Sequence, residues 1–335
     1  MSFSRAVLTI DAAAETERLV ALLRQTVLKT MRRRGGVVGI SGGIDSSVAF
    51  ALCVRAFGPE KTTAVMMPDQ DSDPDTQRIA TGLAQHYGVV PVLENITPAL
   101  KGFACYDRRD EAIQRVFPEY EAAAGYKAKI VLPPRLLEEN TLNVFSLTII
   151  APDGAVKSAR LSPRDYAQIV AASNLKQRTR MAMLYYHAEL RHCAVIGTPN
   201  RNEHDQGFFV KYGDGGADIR PLAHLYKTQV YQLARFLDVP EEIQRRTPTT
   251  DTYSAPTSQE EFFFRLPFET MDLLDYAQQH AVPLEDVAAV LNLTTRQAQA
   301  AMDDLTRKRR TTEYLRMAPV AVDAHVDGMA RERLS

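Results

Sequence analysis

Short apolar segments alternate with segments of helical periodicity along most of the chain. Four apolar segments, rich in β-branched residues, predict buried strands at 37–40, 62–67, 89–93 and 194–197. The stretches around them carry apolar residues three or four positions apart and predict helices at 12–33, 46–57, 75–87, 167–191 and 227–237. Strands that alternate with helices predict an α/β fold, a doubly wound parallel sheet flanked by helices.

Two regions depart from this alternation. Residues 101–165 look irregular, and within them an apolar run followed by Asp153-Gly154 predicts an inserted β-hairpin from Val144 to Lys157. Residues 268–316 predict three short helices. We therefore expect an α/β domain over 1–260, with an insertion at about 101–165, and a C-terminal helical subdomain with a tail over 261–335.

Composition narrows the class of protein. The 335 residues are 45% hydrophobic and include 40 Lys+Arg against 41 Asp+Glu, a net charge of −1, so a broad basic surface for nucleic acid is not expected. No apolar run approaches the roughly 18–20 residues of a membrane span, and the N-terminus lacks the pattern of a secretory signal. Cys53, Cys105 and Cys193 form no CxxC pair, which predicts reduced thiols and a cytoplasmic enzyme.

A glycine–serine bend is the strongest candidate for chemistry. Gly39-Ile40-Ser41-Gly42-Gly43-Ile44-Asp45-Ser46-Ser47 joins a predicted strand to a predicted helix. Its glycines let the backbone approach an anion without a clashing Cβ. The helix that follows directs free N–H groups and its positive dipole end to the same point. The bend therefore predicts an anion site.

The bend differs from two better-known phosphate loops. It has neither the Gly-Lys-Ser/Thr of a γ-phosphoryl-transfer loop nor the spacing of a dinucleotide fingerprint. Instead it contains a carboxylate, Asp45. An acid beside a phosphate site is chemically sensible if Mg²⁺ bridges the two.

These residues resemble a known superfamily. Ser41-Gly42-Gly43-Ile44-Asp45-Ser46 is similar to the SGGxDS loop of the ATP-pyrophosphatase (adenine nucleotide alpha hydrolase-like) enzymes. That likeness implies an ATP-pyrophosphatase α/β domain, which splits ATP between the α- and β-phosphates and activates a carboxylate or carbonyl as its adenylate.

Later segments resemble one branch of that superfamily, the ammonia-dependent NAD synthetases. The similar segments are Lys176–Met181, Gly197–Glu203, Phe208–Asp218 and Arg220–Lys227, and the most specific is Lys211-Tyr212-Gly213-Asp214-Gly215-Gly216-Ala217-Asp218. Glutamine-using relatives carry a large N-terminal amidase domain, whereas only about 35 residues precede the bend here. Free ammonia, or ammonia from a separate protein, is therefore the implied nitrogen source.

The resemblance implies roles residue by residue. Asp45 and Glu203 resemble the Mg²⁺ ligands. The implied ATP contacts are Gly39, Ile40, Ser41, Gly42, Gly43, Ile44, Asp45, Ser46, Thr198, Lys227 and Thr249; the implied deamido-NAD contacts are Arg178, Lys211, Asp218, Lys308 and Arg309. Asp45, Lys227 and Asp218 are the expected catalytic residues, with Asp218 orienting ammonia or accepting its proton.

The implied reaction has two steps. The carboxylate of deamido-NAD attacks the α-phosphate of ATP, which gives an adenylate and pyrophosphate. Ammonia then displaces AMP and leaves NAD. Positive charge from Mg²⁺, Lys227 and the helix N-terminus would stabilise the leaving pyrophosphate. In this family the substrate lies across a two-fold interface, so a homodimer is also implied.

Two alternatives stay open at this stage. The unusual 101–165 segment makes nicotinate mononucleotide or another carboxylate an alternative substrate. Residues 284–297 resemble a helix-turn-helix with a capping box between Thr294 and Gln297, and Arg296 and 307–310 could form its basic side. A tRNA-modifying or nucleic-acid-binding member of the superfamily is therefore the second alternative, which the net charge of −1 disfavours.

Overall fold

The computed structural model describes residues 3–131, 145–249, 253–256 and 258–320, with the backbone alone at 261 and 262. Its strands are β1 Gly36–Gly39, β2 Thr62–Met66, β3 Val92–Leu93, β4 Lys127–Val131, β5 Ser146–Ile150, β6 Val156–Arg160 and β7 Ala194–Ile196. Its α-helices are α1 Ala12–Leu23, α2 Ile44–Phe57, α3 Pro74–His86, α4 Thr97–Gly102, α5 Cys105–Val116, α6 Pro163–Arg191, α7 Arg201–Gln206, α8 Lys227–Phe236, α9 Glu241–Arg245, α10 Phe268–Gln279, α11 Leu284–Leu291, α12 Thr295–Thr311 and α13 Glu313–Arg316. In this part of the chain no helix is both long and apolar enough to cross a membrane.

The predicted parallel sheet is confirmed. Its order is β3-β2-β1-β7, and Val38 of β1 lies opposite Ala64 on one side and Ile196 on the other. The third strand is shorter than predicted because Pro91 has no N–H to donate to a neighbour and Val90 is 90% exposed. All four strands end at the edge where ligands bind in open α/β sheets.

Helices cover both faces of this sheet, as the doubly wound prediction requires. Val38 packs into a cluster with Leu19 of α1, Phe50 of α2 and Leu233 of α8. Its neighbour Val37 faces the other way, with Met181 and Leu184 of α6. Successive side chains of a strand point to opposite faces, so one apolar run is buried on both sides.

The inserted hairpin is confirmed, but its surroundings are more regular than expected. Strands β5 and β6 pair around the turn at Gly154, whose φ is +85°, and Ala155 N donates to Asp153 Oδ1 at 2.9 Å. A third strand, β4, pairs with β5, so the unit is a three-stranded antiparallel sheet. The predicted start of the hairpin at Val144, together with Pro133 and Pro134, lies outside the described residues.

The helix α5 was missed in the sequence because its apolar stripe is narrow. Ala112 and Ile113 are buried among mostly charged neighbours, and Ile113 packs with Ile130 and Leu147 of the antiparallel sheet. The sheet and α5 thus share a second hydrophobic core.

Helices α10 to α13 form the C-terminal part, four helices where three were predicted, since the last is a single turn. Phe264, Leu274, Val287 and Leu305 are buried in their common core. The predicted tail beyond residue 320 lies outside the described residues. At the other end of the chain, the predicted helix 12–33 is α-helical to Leu23 and π-helical over Arg24–Thr30.

Candidate active site

The glycine–serine bend connects β1 to α2 and requires glycine at two places. Gly42 has φ +67°, a left-handed conformation that is strained for other residues. A Cβ on Gly39 would lie 3.1 Å from Met67 Cε and 3.4 Å from Leu184 Cδ1. The absence of a side chain at Gly39 therefore lets the end of β1 lie close to the end of β2 and to α6.

The start of α2 is open to an anion. Its N-cap is Gly43, which has no side chain to accept hydrogen bonds from the first amide groups of the helix. The hydroxyls of Ser46 and Ser47 both donate to Gly43 O, at 3.0 and 2.8 Å, and fix the bend. The amides and the positive dipole end are thus left for a ligand.

Asp45 and Lys227 form a buried ion pair at the same point. Lys227 is the first residue of α8 and is fully buried, while Asn200 Nδ2 donates to Asp45 Oδ1 at 2.9 Å. Burial alone would lower the pKa of Lys227, but the charges of Asp45 and Glu203 outweigh it, and the net shift is upward. Lys227 is therefore a permanent positive charge beneath the bend.

Glu203 is the second carboxylate of this cluster. It closes a capping box at the start of α7, where its Oε2 accepts from Asn200 N at 3.0 Å. Its Oε1 accepts from Gln259 Nε2 at 3.2 Å. Desolvation, together with the negative charge of Asp45, raises the pKa of Glu203 to about 8. The burial of Glu203 and the nearby charge of Asp45 thus both disfavour the ionised form of Glu203.

A cavity of about 580 Å³ opens above the bend at the carboxyl edge of the sheet. Its walls come from the bend, the end of β2, helix α6 and the segments 207–211 and 246–249. The sequence-predicted residues that line it are Gly39, Ile40, Ser41, Gly43, Ile44, Asp45, Ser46, Arg178, Thr198, Glu203, Lys211 and Thr249. Gly42 shapes the bend without lining the cavity, and Lys227 lies behind Asp45.

Three predicted residues are not brought to the cavity. Asp218 is exposed, and its carboxylate accepts from Val195 N at 2.8 Å and from Tyr185 Oη at 3.0 Å. Lys308 is buried among the C-terminal helices, where it pairs with Asp304 at 2.9 Å. Arg309 pairs with Asp275 in the same region.

The placement of Lys308 and Arg309 also bears on the helix-turn-helix alternative. Helices α11 and α12 do follow that geometry, and Thr294 and Gln297 form the predicted capping box. However, two of the expected basic residues are engaged within the protein. This weakens the basic surface that nucleic acid would need.

Lys211 and Arg178 lie on the outer wall of the cavity. Arg178 Nε donates to Lys211 O at 3.3 Å. The Lys211 ammonium donates to the carbonyls of Tyr314 and Met317, at 3.0 and 2.9 Å, and lies 4.2 Å from the centroid of the Tyr314 ring. The C-terminal segment therefore meets the glycine-rich loop at this lysine.

Several cavity residues escaped the sequence analysis. Asp214, on the second glycine-rich loop, lines the cavity, and desolvation raises its pKa to about 6. One face of α6 supplies a further group of lining residues: Tyr166, Val170, Ser173, Asn174, Gln177, Met181 and Leu184. Their spacing of three and four around Arg178 was the signal that could have identified them.

In this α/β protein the first strand of a parallel sheet leads through a glycine–serine bend into an open helix start beside the Lys227–Asp45 pair. Such a helix start at the carboxyl edge of the sheet is typical of α/β proteins that bind phosphate-bearing ligands. Comparison with known proteins specifies the class further. The model of the NAD synthase family matches residues 15–123 and 135–319, and the chain belongs to that family.

Relatives agree with this assignment, and a solved structure shares the fold. The chain is 51% identical to the NH(3)-dependent NAD(+) synthetase of Mesorhizobium japonicum over 314 residues, 94% of this chain and 98% of that protein. It is 47% identical to that of Rhizobium meliloti over 320 residues, 96% of this chain and 95% of that one. The solved NH3-dependent NAD synthetase of Campylobacter jejuni shares the fold, with a TM-score of 0.61 at 20% identity over 94% of this chain and all of the other.

Proposed function

We propose that this protein amidates deamido-NAD to NAD with ammonia, at the expense of ATP, which it cleaves to AMP and pyrophosphate. The observation that carries this proposal is the Asp45–Lys227 pair at the open start of α2, where Asp45 lines a cavity that Arg178 and Lys211 also line. Curated relatives up to 51% identical are named for this activity.

The arrangement suits the formation of an adenylate. An oxygen of the nicotinate carboxylate attacks the α-phosphorus of ATP, and the bond to the bridging oxygen of the β-phosphate breaks. The α2 amides and Lys227 would stabilise the negative charge that develops on the leaving pyrophosphate. Ammonia then adds to the acyl carbon, and AMP leaves as the amide forms and the proton passes to solvent.

Asp45 and Glu203 fit a Mg²⁺ ion. Both are carboxylates, and desolvation together with the charge of Asp45 raises the pKa of Glu203, so a cation between them would favour the ionised form of both. Among the described residues no group of three or more His, Cys, Asp and Glu side chains is arranged to hold a metal ion. Two carboxylates plus the oxygens of a bound phosphate are a common environment for Mg²⁺. When bound, the ion would supply further positive charge for the pyrophosphate.

We infer that the protein works as a homodimer in the cytoplasm. Large apolar side chains are about half exposed or more on the edge strand β3, after α4 and along α6; we call Leu93, Phe103, Tyr186 and Leu190 the apolar edge. His187 Nε2 lies 2.9 Å from Glu94 Oε1 and so joins α6 to β3 within this surface. Contiguous exposed apolar surface favours association. The three buried, unpaired cysteines suit a reducing compartment.

The proposal is tested by Asp45→Asn. The substitution keeps the size of the side chain but removes the charge that faces Lys227 and the proposed Mg²⁺. We expect pyrophosphate release with ATP, deamido-NAD and ammonia to fall by about 100-fold or more, as for the loss of one electrostatic contact in a transition state.

Asp107→Asn, at an exposed position of α5, is the matched control and should retain the native rate. Thermal melts of both variants would show that the fold persists. Native pyrophosphate release by Asp45→Asn, or failure of the unmodified protein to form NAD and AMP, would refute the proposal.

A further inference from the structure

A buried carboxylate of the C-terminal helices lies behind the active site. Asp272, in the second turn of α10, is fully buried, and it does not line the cavity. Its Oδ2 accepts from Thr228 N at 2.9 Å, and its Oδ1 accepts from Asn202 Nδ2. One carboxylate therefore joins three helices, α7, α8 and α10.

Both partners of Asp272 are next to charged groups of the site. Thr228 directly follows Lys227, which belongs to the buried ion pair. Asn202 directly precedes Glu203, the second carboxylate. The amide of Thr228 is in the first turn of α8, where no earlier carbonyl of the same helix can accept from it. Asp272 supplies that acceptor, and its negative charge suits the positive end of the helix dipole.

Helix α10 contacts α7 at further points. Arg201 Nε lies 3.3 Å from Asp275 Oδ2. At the other end of α7, Gln206 Nε2 lies 2.9 Å from Met271 Sδ. Residues 271, 272 and 275 lie on one side of α10, because three or four positions make about one helical turn. Since α7 has only six residues, it is too short to be stable by itself, and its orientation depends on these contacts.

The burial of Asp272 is not explained by packing. Desolvation raises the pKa of Asp272, although its two hydrogen bonds and the charge of Lys227 act in the opposite direction. A buried charge lowers stability unless its partners compensate for the lost water. An apolar side chain would fill the same place without this penalty, so the carboxylate is there for its contacts.

We propose that Asp272 is a positioning residue for the proposed reaction. Its two hydrogen bonds fix the start of α8 against the start of α7, and so fix Lys227 relative to Glu203 at the glycine–serine bend. The C-terminal helices thereby align groups that act on the phosphates of ATP. The inference rests on the proposed function, because it concerns the alignment of the residues assigned to that reaction.

Asp272→Ala removes both hydrogen bonds and tests the inference. At saturating ATP we expect kcat for NAD formation to fall about 10- to 100-fold, because a displacement of about 1 Å at a catalytic group has effects of this size. KM for deamido-NAD should stay within about twofold of the native value. The reason is that Arg178 and Lys211 lie on other elements, α6 and the second glycine-rich loop.

Asp272→Asn is the conservative variant. Its amide oxygen can still accept from Thr228 N, and its amide nitrogen can donate to Asn202 once that amide is turned over. We therefore expect it to keep kcat within about threefold of the native value. Val287→Ala, at a fully buried position of α11 in the C-terminal core, is the control. It should lower the melting temperature by leaving a cavity, without lowering kcat.

If Asp272→Ala does not fold, Asn202→Ala takes its place, because it removes only the contact with α7. We expect that variant to lower kcat about tenfold. Native kcat in the variant that folds would overturn the inference. So would a fall in Asp272→Asn or Val287→Ala as large as in Asp272→Ala. In each of these results, NAD formation by the unmodified protein would leave the proposed function intact.

Discussion

At the scale of single residues, the site depends on charges that are kept from water. Lys227 is fully buried, and Glu203 and Asp214 both have raised pKa values because they are desolvated. Each such group lowers stability unless a partner or a ligand compensates for its desolvation. The cavity therefore carries unfavourable electrostatics in the free protein that substrates and cations can relieve.

The desolvated carboxyl of Asp214 makes the free energy of unfolding depend on pH. Its carboxyl has a pKa of about 6 in the folded protein, against 3.8 for an unperturbed side chain. Between about pH 4 and pH 6 the folded state binds more protons than the unfolded state, so the free energy of unfolding falls as the pH rises. Asp214→Asn keeps the acceptor for Val210 N but removes this dependence.

Urea unfolding at pH 4.5 and pH 7 measures the difference. From pH 4.5 to pH 7 we expect the free energy of unfolding of Asp214→Asn to rise by about 1–3 kcal/mol relative to that of the unmodified protein. Asp286→Asn, at an exposed position of α11, should show no such gain. A constant difference between Asp214→Asn and the unmodified protein would contradict the assigned pKa.

The sequence predicted the positions of residues that a local motif fixes, but not the positions of residues that depend on tertiary contacts. Asp45 could be predicted because the bend itself fixes it at the start of a helix. Asp218 could not be placed, since its direction depends on hydrogen bonds to Val195 and Tyr185 on other elements. The burial of Lys308 depends in the same way on how α12 packs. Their predicted roles, like those of the cavity residues, stay predictions.

At the scale of elements, the bend between β1 and α2 is the critical connection. The strands around it were predictable because buried parallel strands are continuous apolar runs. Helix α5 and strand β4 were not, since a narrow apolar stripe and a short alternation are weak signals. Phe145, which directly precedes β5 of the antiparallel sheet that they complete, lines the cavity, so the missed elements lie next to part of the site.

Gly42→Ala tests the bend. A side chain in the left-handed conformation is strained, and its Cβ would lie 3.0 Å from Ile79 Cγ2. We expect a loss of about 1–2 kcal/mol in stability and an increase of about tenfold in KM for ATP, because the α2 amides move. Denaturant unfolding and initial rates measure the two effects.

Gly82 is a matched comparison within helix α3. A Cβ there meets no atom within 4 Å, so Gly82→Ala should stabilise the protein by up to about 1 kcal/mol and leave KM for ATP unchanged. If the two alanine variants behaved alike, the special role of the bend would be disproved.

At the scale of the whole molecule, the apolar edge predicts the state of association. Leu190 is 64% exposed on α6. Leu190→Glu would place a charge on surface that the proposed homodimer buries, and we expect a molar mass of one chain instead of two by light scattering. Leu22→Glu, at an exposed leucine of α1, which packs on the opposite face of the parallel sheet from α6, is the control and should remain dimeric. A single-chain mass for the unmodified protein would refute the homodimer.

Lys211 lines the cavity and also contacts the C-terminal segment. In the free protein this ammonium is satisfied by two backbone carbonyls of residues 314 and 317. A phosphate oxygen is a stronger acceptor for an ammonium than a neutral carbonyl. We therefore expect a substrate phosphate that takes over Lys211 to break both of these bonds, so that residues 314 and 317 are held less firmly in the complex, while Arg316 still donates to the carbonyls of His204 and Asp205.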